Sequence, residues 1–246
     1  MSKRKPGGGG FAAKKQREME DRAKQKQRRS LLIWAVIIAV LMGAIALLWP
    51  RLTNPSVEPT AEGTISDGER PLATISPAMR ADYYDAYPDM VIDTNKEYEA
   101  IIRTEKGDMR LRLFDDESPL AVNNFVFLSQ QGFYDGLTFH RVLDDFMAQG
   151  GDPSGTGGTG PGYQFADEVD NGLTFDRRGL LAMANAGPDT NGSQFFITFA
   201  PSPNLNGGYT IFGEVIEGDD VLDRITRIEY PTGPGDVINR IDIVER

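Results

Sequence analysis

The side chains able to do chemistry in this chain are few, and most fall away on inspection. Cysteine is absent, which removes a thiolate nucleophile, a cysteine-ligated zinc or iron–sulfur site and a disulfide scaffold. The single histidine, His140, has no spaced partner to complete a metal site and no serine and acid placed for a nucleophilic triad. It reads as structural, or as packing near Arg141. The acidic runs Asp115-Asp116-Glu117, Asp144-Asp145 and Asp167-Glu168 lie in polar, turn-like clusters. They read as solvated surface rather than as an acid–base pair whose pKa values are driven apart. Gly155-Thr156-Gly157-Gly158-Thr159-Gly160 has the glycine spacing of a dinucleotide loop, but Pro161-Gly162 follows at once. No helix can open there to hold a pyrophosphate, so the run reads as a flexible turn or a rim that exposes backbone. The Asn191-Gly192-Ser193 triplet fits a glycosylation acceptor and carries little weight alone.

What remains is a set of four collinear segments. Phe139-His140-Arg141-Val142 is followed by Phe146-Met147-Ala148-Gln149-Gly150-Gly151-Asp152. Then come Leu181-Ala182-Met183-Ala184-Asn185-Ala186-Gly187-Pro188 and Asn191-Gly192-Ser193-Gln194-Phe195-Phe196-Ile197-Thr198. In this order, with short gaps, they resemble the cyclophilin family of peptidyl-prolyl cis–trans isomerases, and the resemblance extends over roughly residues 94–246. It implies an enzyme that accelerates rotation about X–Pro bonds and so assists protein folding. Such rotation is slow because amide resonance sets a barrier of about 18–20 kcal/mol. The reaction needs no nucleophile, metal or cofactor. It needs a slot for the proline ring and a donor that stabilises the twisted amide more than the planar one.

By this resemblance Arg141 is the donor, since a guanidinium can hydrogen-bond the prolyl nitrogen as its lone pair localises. The resemblance makes Phe146, Met147, Phe196 and Leu205 the proline pocket, with Tyr209 at its far wall where eukaryotic members carry histidine. Gln149 would bind substrate backbone or support Arg141. Ala184, Asn185 and Ala186 would pair with the peptide backbone, and Gly155 and Gln194 would line the adjoining subsite. Asn204 stands where eukaryotic members carry a tryptophan, the usual hydrogen-bond donor to cyclosporin-type inhibitors, so such inhibitors are expected to bind less well. The partners implied are proline-containing polypeptides. The rival reading of the same pocket is a tethered chaperone that binds proline-containing segments with incidental turnover.

The elements that must position these residues are short. Tyr98–Thr104 and Met109–Phe114 alternate and are joined by Glu105-Lys106-Gly107-Asp108, a hairpin signal. Ser118-Pro119 opens a helix with Leu120, Asn124, Phe125 and Leu128 on one face, and Gly132 ends it. Further strands are expected at Leu137–Val142, Met147–Gln149, Gly179–Ala184, Gln194–Phe199, Thr210–Val215 and Val237–Val244. A second helix fits Asp219–Thr226, with Val221, Leu222 and Ile225 inward. These elements predict an all-β fold, a closed eight-stranded antiparallel barrel capped by two α-helices, which would leave no sheet edge exposed.

Ahead of this domain the composition changes twice. Residues 1–30 carry a net charge of +8 and residues 51–246 a net of −18, and no charge lies between them. That gap contains Leu31–Trp49, nineteen residues without a charged side chain, flanked by Arg28 and Arg29 and bearing the only two tryptophans, Trp34 and Trp49. A helix of this length is about as long as a bilayer core is thick, and the charge bias would put residues 1–30 in the cytoplasm and the rest outside. The expected organisation is a basic cytoplasmic tail over 1–30, a single transmembrane helix over 31–49, an extracytoplasmic spacer over 50–92 and the isomerase domain over 93–246. A cleaved signal peptide is the alternative, with Ala44-Ile45-Ala46 resembling a cleavage site. A possible short helix near Ala78–Tyr87 interrupts the spacer. The basic tail could touch anionic lipid or nucleic acid, but it reads better as a disordered segment that sets orientation, and no nucleic-acid partner is expected of so acidic a chain.

Overall fold

The hairpin predicted from alternation is the organising element of a computed structural model that describes residues 64–65, 68–229, 233 and 235–246. The short strand β1 (Thr64–Ile65) comes first, and the hairpin follows as β2 (Tyr98–Thr104) and β3 (Gly107–Leu113), paired antiparallel from Glu99–Arg112 to Thr104–Gly107. Gly107 adopts φ +128, which closes so tight a turn. Helix α1 (Pro119–Gln130) follows, then β4 (Arg141–Leu143), β5 (Met147–Gly150), β6 (Leu180–Met183), β7 (Phe195–Thr198) and β8 (Ile211–Glu217). The short helix α2 (Asp219–Arg224) and β9 (Ile238–Glu245) complete the chain. All ladders are antiparallel, in the order β1-β9-β2-β3-β8-β6-β7-β5-β4.

The sheet curls but is not closed by a ladder as expected. β4 forms a ladder only with β5, and the gap toward β9 is spanned by the isolated bridges Thr138–Val237 and Val142–Ile228. Residues 137–140 leave the strand geometry that their apolar alternation suggested. Gly235 lies so close to the Phe139 carbonyl that a Cβ there would fall 1.8 Å from its oxygen. Backbone contact, rather than a paired strand, fills this side of the barrel.

Inside the curl, Phe125 of α1 meets the rings of Tyr134, Phe195 and Phe212 with centroids 5.3–5.4 Å apart. Burial of each such ring contributes about 1.5–3 kcal/mol. α1 also buries Ala121, Val122, Val126 and Leu128, and α2 buries Val221 and Leu222. Ser118 precedes α1 as expected but caps it in another way. Its hydroxyl donates to the Ile211 carbonyl (2.7 Å), and the Glu168 carboxylate instead accepts the Leu120 and Ala121 N–H groups at 3.0 and 2.9 Å.

Residues 70–92, expected as the end of a spacer, form a strap packed on this domain. Two 3₁₀ turns, Pro71–Thr74 and Pro77–Arg80, replace the short helix expected over 78–87. Leu72 is buried in the core, and Arg80 is 2% exposed with its guanidinium donating to the carbonyls of Ile75, Gly132 and Phe133. Tyr84 and Tyr87 pack against Phe127, Tyr163 and Phe165. The basic tail and the apolar run 31–49 lie outside the described residues. Among the described residues no helix is long and apolar enough to cross a membrane.

Candidate functional site

Strand pairing brings the candidate residues together on one face of the sheet. Arg141 of β4 stands opposite Gln149 of β5, Gln149 opposite Phe196 of β7, and Phe196 opposite Ala182 of β6. Because side chains alternate across a strand, the next residues along, Val142, Ala148, Ile197 and Leu181, all join the cluster inside the curl. The first set faces the other way. There a second apolar cluster gathers Met147, Phe196, Leu205, Phe114, Phe175, Leu180, Ala182 and Ile211, with Phe146, Ala184 and Tyr209 half-buried at its border. The site is therefore built on the outer face of the curl, and the filled interior serves as its foundation.

Within this cluster the Phe196 ring stacks on Phe175 (5.9 Å, 14°) and meets Tyr209 edge-on (5.7 Å, 86°). Met147, Phe196 and Leu205 are buried, Leu205 in a 3₁₀ turn over Pro203–Leu205. They make a floor, while Phe146 and Tyr209 stand as partly exposed walls. Arg141 is half-buried, with its guanidinium carbon 5.9 Å from the centroid of the Phe146 ring. Its one side-chain neighbour of hydrogen-bonding type is the Gln149 Oε1, 3.5 Å from Nη1. Among the described residues no carboxylate pairs with it. The cation is thus positioned beside an apolar hollow, and apart from the long contact to Gln149 its donors have no partner among the described residues.

A relay of amides holds this arrangement. Gln149 Nε2 donates to Gln194 Oε1 at 2.9 Å, and Gln194 Nε2 donates to the carbonyls of Gly157 and Thr159 at 3.1 and 2.9 Å. These carbonyls belong to the glycine-rich loop, which is less flexible than its composition suggests. The Asp152 carboxylate, 1% exposed, accepts from the Ser154 N–H (2.9 Å) and hydroxyl, from the Thr156 and Gly158 N–H groups (3.0 and 3.1 Å), and from Gly157 N–H and the Thr159 hydroxyl. Burial works against its charge, but the donors of Thr159, Ser154 and Gly157 outweigh it and hold its pKa below the usual carboxylate value.

Beside the apolar hollow lies a cleft of about 490 Å³. It is bounded by loop residues Gly157–Gln164, by Ala184, Asn185, Ala186 and Thr190, by Gly192–Gln194, and by Asp82 of the strap. Asn185 Nδ2 donates to the Gly208 carbonyl at 2.8 Å, which ties the rim of the cleft to the segment carrying Tyr209. Gly155, expected on this subsite, does not border the cleft. It turns at φ +66 with its N–H on the Asp152 carbonyl, one step back in the loop.

Sequence reasoning missed three contributions. The floor residues Leu180 and Ala182 escaped because β6 is buried on both faces, so alternation cannot say which residue supports the site, and Phe114, Phe175 and Ile211 reach the floor from outside that strand. Asp152 as the loop's hub was legible in principle from an acid followed by Ser, Thr and Gly, the composition of nested Asx-type turns. Asp82 was read as spacer.

Comparisons with known proteins identify the domain that carries these residues. The family described as cyclophilin type peptidyl-prolyl cis-trans isomerase/CLD matches residues 100–245. The Arabidopsis thaliana protein named peptidyl-prolyl cis-trans isomerase CYP18-1 is 51% identical, over 55% of this chain and 85% of its own length. Peptidyl-prolyl cis-trans isomerase A of Mycobacterium tuberculosis is 48% identical, over 55% of this chain and 86% of its own. Among solved structures, a cyclophilin type peptidyl-prolyl cis-trans isomerase from Cryptosporidium parvum, crystallised in the presence of the dipeptide Ala-Pro, superposes with a TM-score of 0.55 at 41% identity, covering 58% of this chain and 96% of that one.

Proposed function

The chain belongs to the cyclophilin-type peptidyl-prolyl cis–trans isomerase family and is a peptidyl-prolyl cis–trans isomerase, and from that premise we propose how its residues act and where. The observation that carries the reading is the single outer row of Arg141, Gln149 and Phe196, with an acid-free guanidinium beside an apolar hollow. The substrate proline ring enters the hollow formed by Phe146, Met147, Phe196, Leu205 and Tyr209, where apolar burial holds it while the rest of the peptide turns. Rotation about the X–Pro bond breaks amide conjugation and returns a lone pair to the prolyl nitrogen. Arg141 donates a hydrogen bond to that nitrogen. The bond forms only as the amide twists, so it stabilises the transition state more than either planar isomer. Gln149, fixed through Gln194 to the loop carbonyls, keeps the guanidinium aimed and offers a polar group to substrate backbone. The main chain of Ala184–Ala186 runs along the same edge and pairs with the peptide.

The chain is held in a membrane by residues 31–49, with residues 1–30 cytoplasmic and the isomerase domain outside acting on exported or membrane-proximal proteins. Support for this comes from the charge-free apolar run and the opposed charges of +8 and −18 on its two sides. The pocket assignment is tested by titrating a short Ala-Pro peptide into the protein and following side-chain NMR signals. Shifts are expected at Met147, Phe196, Leu205 and Tyr209, and they should vanish in Phe196→Ala. Shifts confined to other surfaces, or undiminished in that variant, would refute the pocket.

A further inference from the structure

The cleft beside the proline hollow has one wall that the isomerase domain does not supply. Asp82 of the strap borders it, and is the only charged residue to do so among the described residues. The rest of the lining is glycine, alanine, proline, small hydroxyls, amides and Tyr163. Asp82 is exposed to solvent, yet its backbone is pinned. Its N–H donates to the Gly160 carbonyl at 3.0 Å, and the Tyr84 N–H donates to the Pro161 carbonyl at 2.8 Å. Gly162, at φ +107, permits this approach, since a Cβ there would lie 2.2 Å from the Tyr84 carbonyl oxygen. Asp82 itself takes φ 53, a left-handed conformation that aspartate and asparagine tolerate better than most residues. On the N-terminal side, buried Arg80 anchors the strap two residues away. The backbone that bears the carboxylate is thus fixed at one place on the cleft's rim.

The cleft and the proline hollow share Ala184 at their border, and Gln194 of the cleft is hydrogen-bonded to Gln149 of the catalytic row. One peptide can therefore fill both, with its proline in the hollow and a neighbouring side chain in the cleft. About 490 Å³ accommodates a long side chain. We propose that the strap is a specificity element, and that Asp82 biases the cleft toward a lysine or arginine side chain close to the substrate proline. The aliphatic stem would lie along Ala184, Ala186 and Pro161, and the cationic head would reach the Asp82 carboxylate at the open rim. This rests on the isomerase reading above and adds the charge of the preferred substrate.

The test compares isomerisation of matched peptides that differ only in carrying Lys or Glu at successive positions on either side of the proline. For the best-placed position, wild type favours Lys in kcat/KM by about two- to fivefold, the effect expected of an exposed ion pair. Asp82→Asn, which keeps the left-handed backbone, brings that ratio to near one, and Asp82→Lys inverts it. Glu217→Gln removes an exposed acid elsewhere on the domain and leaves the ratio intact, which separates the strap from general attraction to an acidic protein. A ratio unchanged by Asp82→Asn, or lowered as much by Glu217→Gln, overturns the proposal. A wild type inactive on both series would instead fail the isomerase reading, and this inference with it.

Discussion

Next to Arg141 in the chain, His140 is buried, 4% exposed, and its Nε2 would lie 3.7 Å from a Cβ placed on Gly157. Burial lowers its pKa, as does Arg141 to a smaller extent, while Asp152 works the other way. The folded protein therefore keeps this ring neutral where the unfolded chain, with its pKa near 6.5, takes up a proton. The consequent stability is complete above that pH and is lost as the pH falls below it, by at most about 1.4 kcal/mol per pH unit. As the chain's only histidine, His140 can be isolated by one variant. Denaturant unfolding from pH 8 to 5 should show wild type losing stability relative to His140→Gln on acidification, and parallel curves would contradict the assignment. At this scale much was legible in the sequence. Arg141, Gln149 and Phe196 meet on one face of paired short strands, and Tyr209 joins them from the bend before β8, but the sequence offered this set only through the family resemblance. The Gln149–Gln194 relay and the Asp152 hub were not legible, because both depend on loops whose folding a local pattern does not dictate.

Among the elements, the strap departs most from its sequence pattern. Residues 70–92 have no sustained period because they form neither α-helix nor strand, only two short 3₁₀ turns. They follow the domain surface residue by residue, through two proline-initiated turns and a set of tyrosines. The tyrosines at 83, 84 and 87 were the one available signal, since a solvated spacer has little use for them. Arg80 is the strap's fastening, and Arg80→Ala would leave the carbonyls of Ile75 and Phe133 without a donor in a buried site. A loss of about 2–4 kcal/mol is expected, read as a lower urea midpoint. A variant as stable as wild type would mean that the strap merely rests on the surface. The strands fared better. Their order of occurrence and the two helices follow from alternation and from the Ser118-Pro119 and Gly132 signals. The face each strand presents did not follow where both faces are buried, as in β6.

For the whole molecule, the net charge of −10 is the sum of two opposed parts, and the apolar run between them makes a physical claim about location. Full-length protein should sediment with membranes and resist alkaline extraction, whereas deletion of residues 31–49 should release it. Equal partition of the two would contradict anchoring. Barrel closure was overstated by the sequence because counting strands cannot reveal that residues 137–140 meet 235–237 through backbone contact rather than a ladder. This gap leaves the candidate site untouched, since the row of Arg141, Gln149, Phe196 and Ala182 lies across β4, β5, β7 and β6, where pairing is continuous.

The central claim is that Arg141 supplies the stabilisation of the twisted amide. It is tested by the rate of cis-to-trans exchange of a short Ala-Pro peptide with wild type and with Arg141→Ala, each checked for an unchanged thermal melt. Loss of one charge-assisted donor to a transition state is worth about 100-fold, so the variant should lose that much in kcat/KM while remaining folded. Equal rates in the two proteins would contradict the account.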